Sequence, residues 1–260
     1  MTVKTMARIF ITGSSDGLGS LAAQRLTKQG HTVFLHARNE QRANDAKKAC
    51  PDAAGCLVGD LTTLSATKTL ASEVNKHGPF DAIIHNAGLY RLGGMNKTSD
   101  GLPMLTSVNT FAPYILTCLV KPTPKRLVYL SSGLHSGADP SLNDITFQQR
   151  NYSDSSGYAD SKLHNIMFAK AFARSFPDSY CNSMDPGWVA TKMGGSGAPG
   201  SPEAAVDTYC HLATNVESTG GYWKPGAREA SPMKQADDMR KQEKLMKICE
   251  DVTGVKVDEQ

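Results

Sequence analysis

No run of eighteen apolar residues occurs anywhere in this 260-residue chain, so no membrane-spanning helix is expected. Met1–Arg8 holds no apolar stretch of signal-peptide length, so no secretory leader is expected either. No two cysteines form C-x-x-C. The six stand at Cys50, Cys56, Cys118, Cys181, Cys210 and Cys249, and those spacings fit neither a zinc site nor a disulfide framework. No metal is expected, and reduced thiols in a cytoplasmic chain are the natural reading. There is no large surplus of one charge: a dispersed net +3 is too small to argue for nucleic acid as a partner. Internal repeats and domain-boundary linkers are also lacking. The length therefore suits one domain with a sizeable core.

What is present is alternation. Short apolar runs at Arg8–Thr12, Thr32–Ala37, Gly55–Val58, Ala82–His85 and Arg126–Leu130 read as strands. Between them Leu18–Gln29, Glu40–Cys50, Leu64–Lys76 and Thr98–Val120 read as helices. Further on, Tyr158–Ser175, Glu203–Thr214 and Pro232–Asp251 read as helices, and Tyr222-Trp223 as a short strand. Ser179–Met184 is a strand by alternation alone. Ser201 before Pro202 suits an N-cap and first helical position. Strict alternation implies βαβ units. The expected fold is α/β: a single doubly wound Rossmann-type domain, with a parallel sheet of about seven strands and helices on both faces. Ligands then bind outside the carboxyl ends of the strands.

The first strand ends in Thr12-Gly13-Ser14-Ser15-Asp16-Gly17-Leu18-Gly19. Glycine permits positive φ and close backbone approach, and the N–H groups at a helix start attract phosphate. Gly13, Ser15, Asp16, Gly17, Leu18 and Gly19 are thus candidates to hold a dinucleotide. The acidic residue that would bind an adenosine ribose belongs about 20 residues beyond the first glycine. That window, Phe34-Leu35-His36-Ala37-Arg38, contains no Asp or Glu. Arg38 would bind a 2′-phosphate that a carboxylate would repel, so NADP(H) is preferred and NAD(H) is the alternative. The plain alternative for Arg38 is a solvated residue at a strand end. Arg42, one turn into the next helix, could assist Arg38 but reads first as surface.

The G-x-x-x-G-x-G spacing resembles the fingerprint of the short-chain dehydrogenase/reductase family. Further motifs follow in the family's order. Asp60 and Leu61 close the third strand, and Asp60 resembles the family's adenine-binding Asp. Asn86, Ala87 and Gly88 match the N-N-A-G segment, from which His85 departs; a histidine there is expected to be hydrogen-bonded rather than a ligand. Asn109, Ser132, Tyr158 and Lys162 match the catalytic set. Pro186, Gly187, Val189 and Thr191 match P-G-x-V-x-T, which would hold the nicotinamide carboxamide. By that resemblance Ser132 orients the substrate carbonyl and Tyr158 transfers the proton. Lys162 binds the nicotinamide ribose and tunes Tyr158, and Asn109 holds a relay water. Ser131 is the lesser candidate serine.

Two of these assignments have independent physical support. Tyr158 and Lys162 share a helix face at i, i+4, roughly 6 Å apart, and a nearby ammonium lowers a phenol's pKa. Pro113 lacks the N–H that would bond the Asn109 carbonyl, which would leave that carbonyl free for a water; the plain alternative is that Pro113 ends a helix.

Ser132 and Tyr158 are 26 positions apart, more than is usual in the family. That insert and the Ser161-Lys162-Leu163-His164-Asn165 run resemble the retinol-dehydrogenase-like branch, here without a membrane anchor. The insert, residues 133–157, and the glycine-rich loop, 193–202, are expected beside the substrate pocket, the loop as a lid. Tyr90, Leu134, His135, Tyr152, Trp188 and Met193 are candidate walls. The implied activity is hydride transfer between NADP(H) and a small-molecule carbonyl or alcohol. The alternatives are an NAD(H) enzyme or a non-catalytic NADP(H)-binding regulator. Members of the family form homodimers or homotetramers.

Overall fold

Eight strands form one sheet in the order β3-β2-β1-β4-β5-β6-β7-β8. In chain order they are β1 (Arg8–Ile11), β2 (Thr32–Ala37), β3 (Gly55–Val58), β4 (Ala82–His85), β5 (Arg126–Leu130), β6 (Tyr180–Met184), β7 (Tyr222–Lys224) and β8 (Arg228–Ala230). The helices are α1 (Gly17–Lys28), α2 (Glu40–Ala49), α3 (Leu64–Lys76), α4 (Met104–Thr106), α5 (Ala112–Leu119), α6 (Asp154–Ser175), α7 (Pro202–Thr214) and α8 (Met239–Thr253). This computed structural model describes residues 6–258. The reading of Met1–Arg8 rests mostly on residues 1–5, which lie outside the described residues.

The pairings from β3 across to β7 are parallel, and β8 runs antiparallel to β7. Alternating side chains divide the core between the two faces. Ile9 and Ile11 of β1 pack with Leu26 of α1 and Tyr209 and Leu212 of α7. Phe10 between them packs on the other side with Phe111, Ile115 and Phe168. The strand order reverses between β1 and β4, which opens a crevice at their carboxyl ends.

Four elements differ from the sequence reading, each for a local reason. α6 starts at Asp154 because Ser153 accepts from the Ser156 N–H and Ser156 reciprocates, a capping box built from two serines. The helix expected over Thr98–Val120 starts only at Met104, after Gly101 at φ +75°, and widens into a π segment over Ser107–Phe111 just ahead of Pro113. The last helix is interrupted at Asp238, whose carboxylate caps the Arg240 and Lys241 N–H groups. The chain turns at Pro225-Gly226 to add β8, a turn signal the sequence reading left unused. Ser201 does cap α7, accepting from the Ala204 N–H at 3.1 Å. Among the described residues no helix is long and apolar enough to cross a membrane.

Candidate active site

Gly13 follows β1 at φ +61°, and a Cβ there would lie 2.8 Å from Ala87 Cα. A Cβ on Gly19 would lie 2.4 Å from Asn86 Nδ2. Glycine is required at both positions because the loops after β1 and β4 touch. Asn86 joins them: its Nδ2 donates to the carbonyls of Thr12 (2.8 Å) and Gly13 (2.9 Å), and its Oδ1 accepts from the Tyr209 hydroxyl of α7 at 2.8 Å.

Above these loops lies a cleft of about 610 Å³ lined by Gly13, Ser15, Asp16, Gly17, Leu18 and Gly19. Arg38, Asp60, Leu61, Asn86, Ala87 and Gly88 complete the side predicted for the dinucleotide, and Tyr158, Lys162, Pro186 and Thr191 reach it as well. The cleft suits a dinucleotide on its own chemistry. No side chain caps α1, so its first-turn N–H groups remain available to phosphate oxygens. The α1 N-cap carboxylate, Asp16, is drawn aside by Arg42, which also donates to Ser15 Oγ at 3.1 Å, and by Lys192 at 3.4 Å. Arg42 is thus a brace of the glycine loop rather than a surface residue. Arg38 is exposed at the cleft edge and pairs with no carboxylate among the described residues. Asp60 Oδ1 accepts from the Thr62 N–H at 3.0 Å.

His36, two residues before Arg38, was not foreseen. The Gly13 N–H donates to its Nδ1 and its Nε2 faces Gly59 O, both at 2.9 Å. With Nδ1 accepting, Nε2 carries the proton, and burial holds the pKa down to about 4. His85 is buried as expected, bonded to Thr117 Oγ1 at 3.0 Å and stacked on Tyr129.

Tyr158 and Lys162 project from α6 against the end of β5. The Lys162 Nζ donates to Leu130 O at 2.9 Å and lies 5.2 Å from the centre of the Tyr158 ring. Burial lowers the Lys162 pKa to about 8, with the Asp185 carboxylate opposing the shift. Burial raises Tyr158 to about 12; the facing Ser132 hydroxyl pulls it down, and Asp185 and Tyr90 push it up. The expected lowering by Lys162 is not seen here, because the ammonium sits over the ring and burial dominates. Ser131 is occupied: its Oγ donates to Lys162 O at 2.8 Å, which leaves Ser132 as the serine that faces the phenol.

Asn109 lines neither cleft. Its side chain pairs with both backbone groups of Leu89 and donates to Ser161 Oγ. The carbonyl expected to stand free for a water accepts from Asn165 Nδ2 at 2.9 Å. Pro113 does remove the helical bond, but a side chain of α6 replaces it.

A second cleft of about 500 Å³ opens beside the first, lined by Ser132, Tyr158, Asp185, Gly187, Val189 and Thr191. Gly187 and Val189, assigned by sequence to the cofactor, line this cleft alone. Tyr90, Leu134, Trp188 and Met193 also form its walls, as expected. His135 and Tyr152 do not. His135 is turned inward, bonded to Ser132 O and to the Met233 N–H. Tyr152 packs edge-on to Phe147. Only Gly133 and Leu134 of the insert reach the cleft. The rest is tied down by Arg150, which pairs with Asp139 and Asp160, and by Lys241 and Lys244 of α8. The 193–202 loop is pinned at both ends: Trp188 Nε1 donates to Gly194 O at 2.7 Å and the Gly200 N–H to Trp188 O at 2.8 Å.

A family model described as short chain dehydrogenase matches residues 7–130. A short-chain dehydrogenase, chyC, from Penicillium rubens is 45% identical over 258 residues, covering 97% of this chain and 99% of the relative. The chain belongs to the short-chain dehydrogenase family. Human retinol dehydrogenase 13 is 26% identical, over 88% of this chain and 79% of its own. Among solved folds, an uncharacterized protein from Mycobacterium paratuberculosis superposes with a TM-score of 0.86 at 23% identity, over 97% and 95% of the two chains. A blue fluorescent protein from a metagenomic library, in complex with NADPH, gives 0.70 at 18%, over 85% and 97%. A short-chain dehydrogenase is an oxidoreductase, and the family uses a nicotinamide cofactor and acts on small molecules.

Proposed function

We propose that this short-chain dehydrogenase transfers a hydride between NADP(H) and a carbonyl or alcohol, with Tyr158 as general acid and base. The observation that carries the reading is the position of Tyr158, which lines both clefts. Its phenol therefore stands where a reacting carbon in the second cleft would face a nicotinamide in the first. The cofactor supplies the hydride chemistry, and the protein supplies orientation and the proton. Gly13, Ser15, Asp16, Gly17, Leu18 and Gly19 would hold the pyrophosphate, and Asp60 and Leu61 the adenine. Arg38 supports NADP(H), because an exposed guanidinium without a carboxylate partner is suited to a 2′-phosphate. NADPH in the fluorescent relative agrees with this.

Ser132 would bind the substrate oxygen, and Tyr158, held protonated by burial, would donate to it in the reductive direction. Lys162, whose pKa burial lowers to about 8, is suited to the nicotinamide ribose. Pro186 and Thr191, which reach the first cleft, would frame the nicotinamide, with Gly187 and Val189 on the substrate side. Asn109 supports the site by fixing Leu89, next to Gly88.

NADPH oxidation in the presence of aryl ketones tests the reading. Tyr158→Phe should abolish turnover and leave cofactor binding intact. Retained turnover would refute the mechanism.

A further inference from the structure

We propose that Asp185 recognises the substrate, accepting a hydrogen bond from a hydroxyl or amide N–H that the substrate carries beside its reacting carbonyl. The inference deepens the oxidoreductase reading above and rests on it. Asp185 follows β6, and the residue is only 8% exposed, yet it forms part of the second cleft beside Ser132 and Tyr158. A buried carboxylate needs hydrogen-bond donors to offset its lost hydration, and it has about four lone-pair sites for them. Within the protein, the Gly187 N–H donates to Oδ1 at 2.8 Å. Tyr222, packed in the core, turns its hydroxyl to the carboxylate from behind as a second donor, which leaves lone pairs unmet on the other side. Lys162 is the cation whose charge it meets, but that ammonium donates to Leu130 O instead.

Oδ2 faces Gly133, which lines the same cleft. A Cβ on Gly133 would stand 3.3 Å from it, so glycine keeps that approach open. The outer walls are Tyr90, Leu134, Trp188 and Met193, with Leu134 and Trp188 more than half exposed. An inner acceptor and an apolar mouth select an apolar body with a donor at its reacting end. A ketone without that donor would dehydrate the carboxylate and give nothing back, the situation in which polar sites discriminate most strongly.

Two matched pairs test this on the full chain. The complex with NADPH, which cannot oxidise an alcohol, is titrated calorimetrically with 1-phenyl-1,2-ethanediol and with its 2-O-methyl ether, in which the donor is masked. Reduction of 2-hydroxyacetophenone and 2-methoxyacetophenone by NADPH is followed in parallel. The free hydroxyl should improve affinity about tenfold or more, as expected for one hydrogen bond to a charged acceptor. Asp185→Asn should bring that ratio close to one. A ratio near one in the parent chain overturns the proposal, and that measurement does not depend on the variant folding. So does a ratio that survives Asp185→Asn while kcat falls equally for both ketones, since Asp185 would then act only on Tyr158 and Lys162. Absence of binding by both ligands overturns it too. If the ratio holds but no ketone is turned over, the oxidoreductase reading fails and Asp185 recognition stands.

Discussion

The rings of Tyr90 and Tyr158 lie 4.2 Å apart between centroids, tilted by 30°. Tyr90 covers the phenol it touches, and burial is the chief cause of the raised Tyr158 pKa, with Tyr90 adding to it. Ser132, Asp185, Lys162 and Tyr209 also stand around the phenol, whose hydroxyl donates to Met193 Sδ at 4.0 Å. Tyr90→Leu lets water reach the hydroxyl and removes one raising neighbour, so the pKa should fall from about 12. Alcohol oxidation needs the phenolate, so the ascending limb of its pH profile should move down by about one pH unit. The profile of kcat/KM against pH checks this; an unmoved limb would show that Tyr90 does not set the phenol's acidity.

Arg38 and Arg42 should separate by cofactor. Arg38→Asp places a carboxylate against a 2′-phosphate and should weaken NADPH by about tenfold to a hundredfold while sparing NADH. Arg42→Ala releases Ser15 and Asp16 of the glycine loop from their brace, so it should weaken both cofactors alike. Dissociation constants for NADPH and NADH on each variant decide it. Equal loss of both in Arg38→Asp would remove Arg38 from the 2′ site.

Three histidines should make the fold acid-labile. Burial lowers His36 to about 4, and His85 and His164 to about 3, from an ordinary 6.5. Between those values the unfolded chain binds protons that the native chain does not, so stability falls as pH drops from about 6.5 towards 3. His85→Asn removes one of the three. Its acid slope should be shallower by up to about 1.4 kcal/mol per pH unit, read from urea midpoints between pH 3 and 7. An unchanged slope would mean that His85 is already charged in the native state.

The insert should be worth more to stability than to catalysis. Arg150 holds Asp139 and the buried Asp160 together. Arg150→Ala leaves the Asp160 carboxylate without its cation and should cost about 3 kcal/mol, with KM for ketones little changed. Denaturant titration beside steady-state kinetics tests it; a large rise in KM at full stability would return the insert to the substrate pocket.

The strands were legible where β-branched and aromatic runs are buried on both faces, as in Arg8–Ile11 and Ala82–His85. β6 was legible by the alternation alone and not by its composition, because Asn182 and Ser183 make it look polar; both side chains bond to Gly221, which no local pattern reveals. In the site, Tyr158 and Lys162 were readable because they share one helix face. The Arg42 clamp on Asp16 and the Asn165 bond to the Asn109 carbonyl were not. Each joins residues many positions apart, and each depends on how one helix seats against a loop or another helix. The Asp185 carboxylate was passed over for the same reason: its neighbours Gly133, Tyr158 and Tyr222 come from three separate elements.

Asn86 leaves position 86 with no synonym. Its two donors and its acceptor are all engaged, by the β1 turn and by α7. Aspartate offers no donor, glutamine is a methylene too long for a space already tight against Gly19, and serine cannot supply both donors. Any replacement would part the two loops that frame the first cleft and loosen α7 at the same stroke. A substitution far from the reacting atoms would thus be felt first as a loss of cofactor, and only through that as a loss of rate.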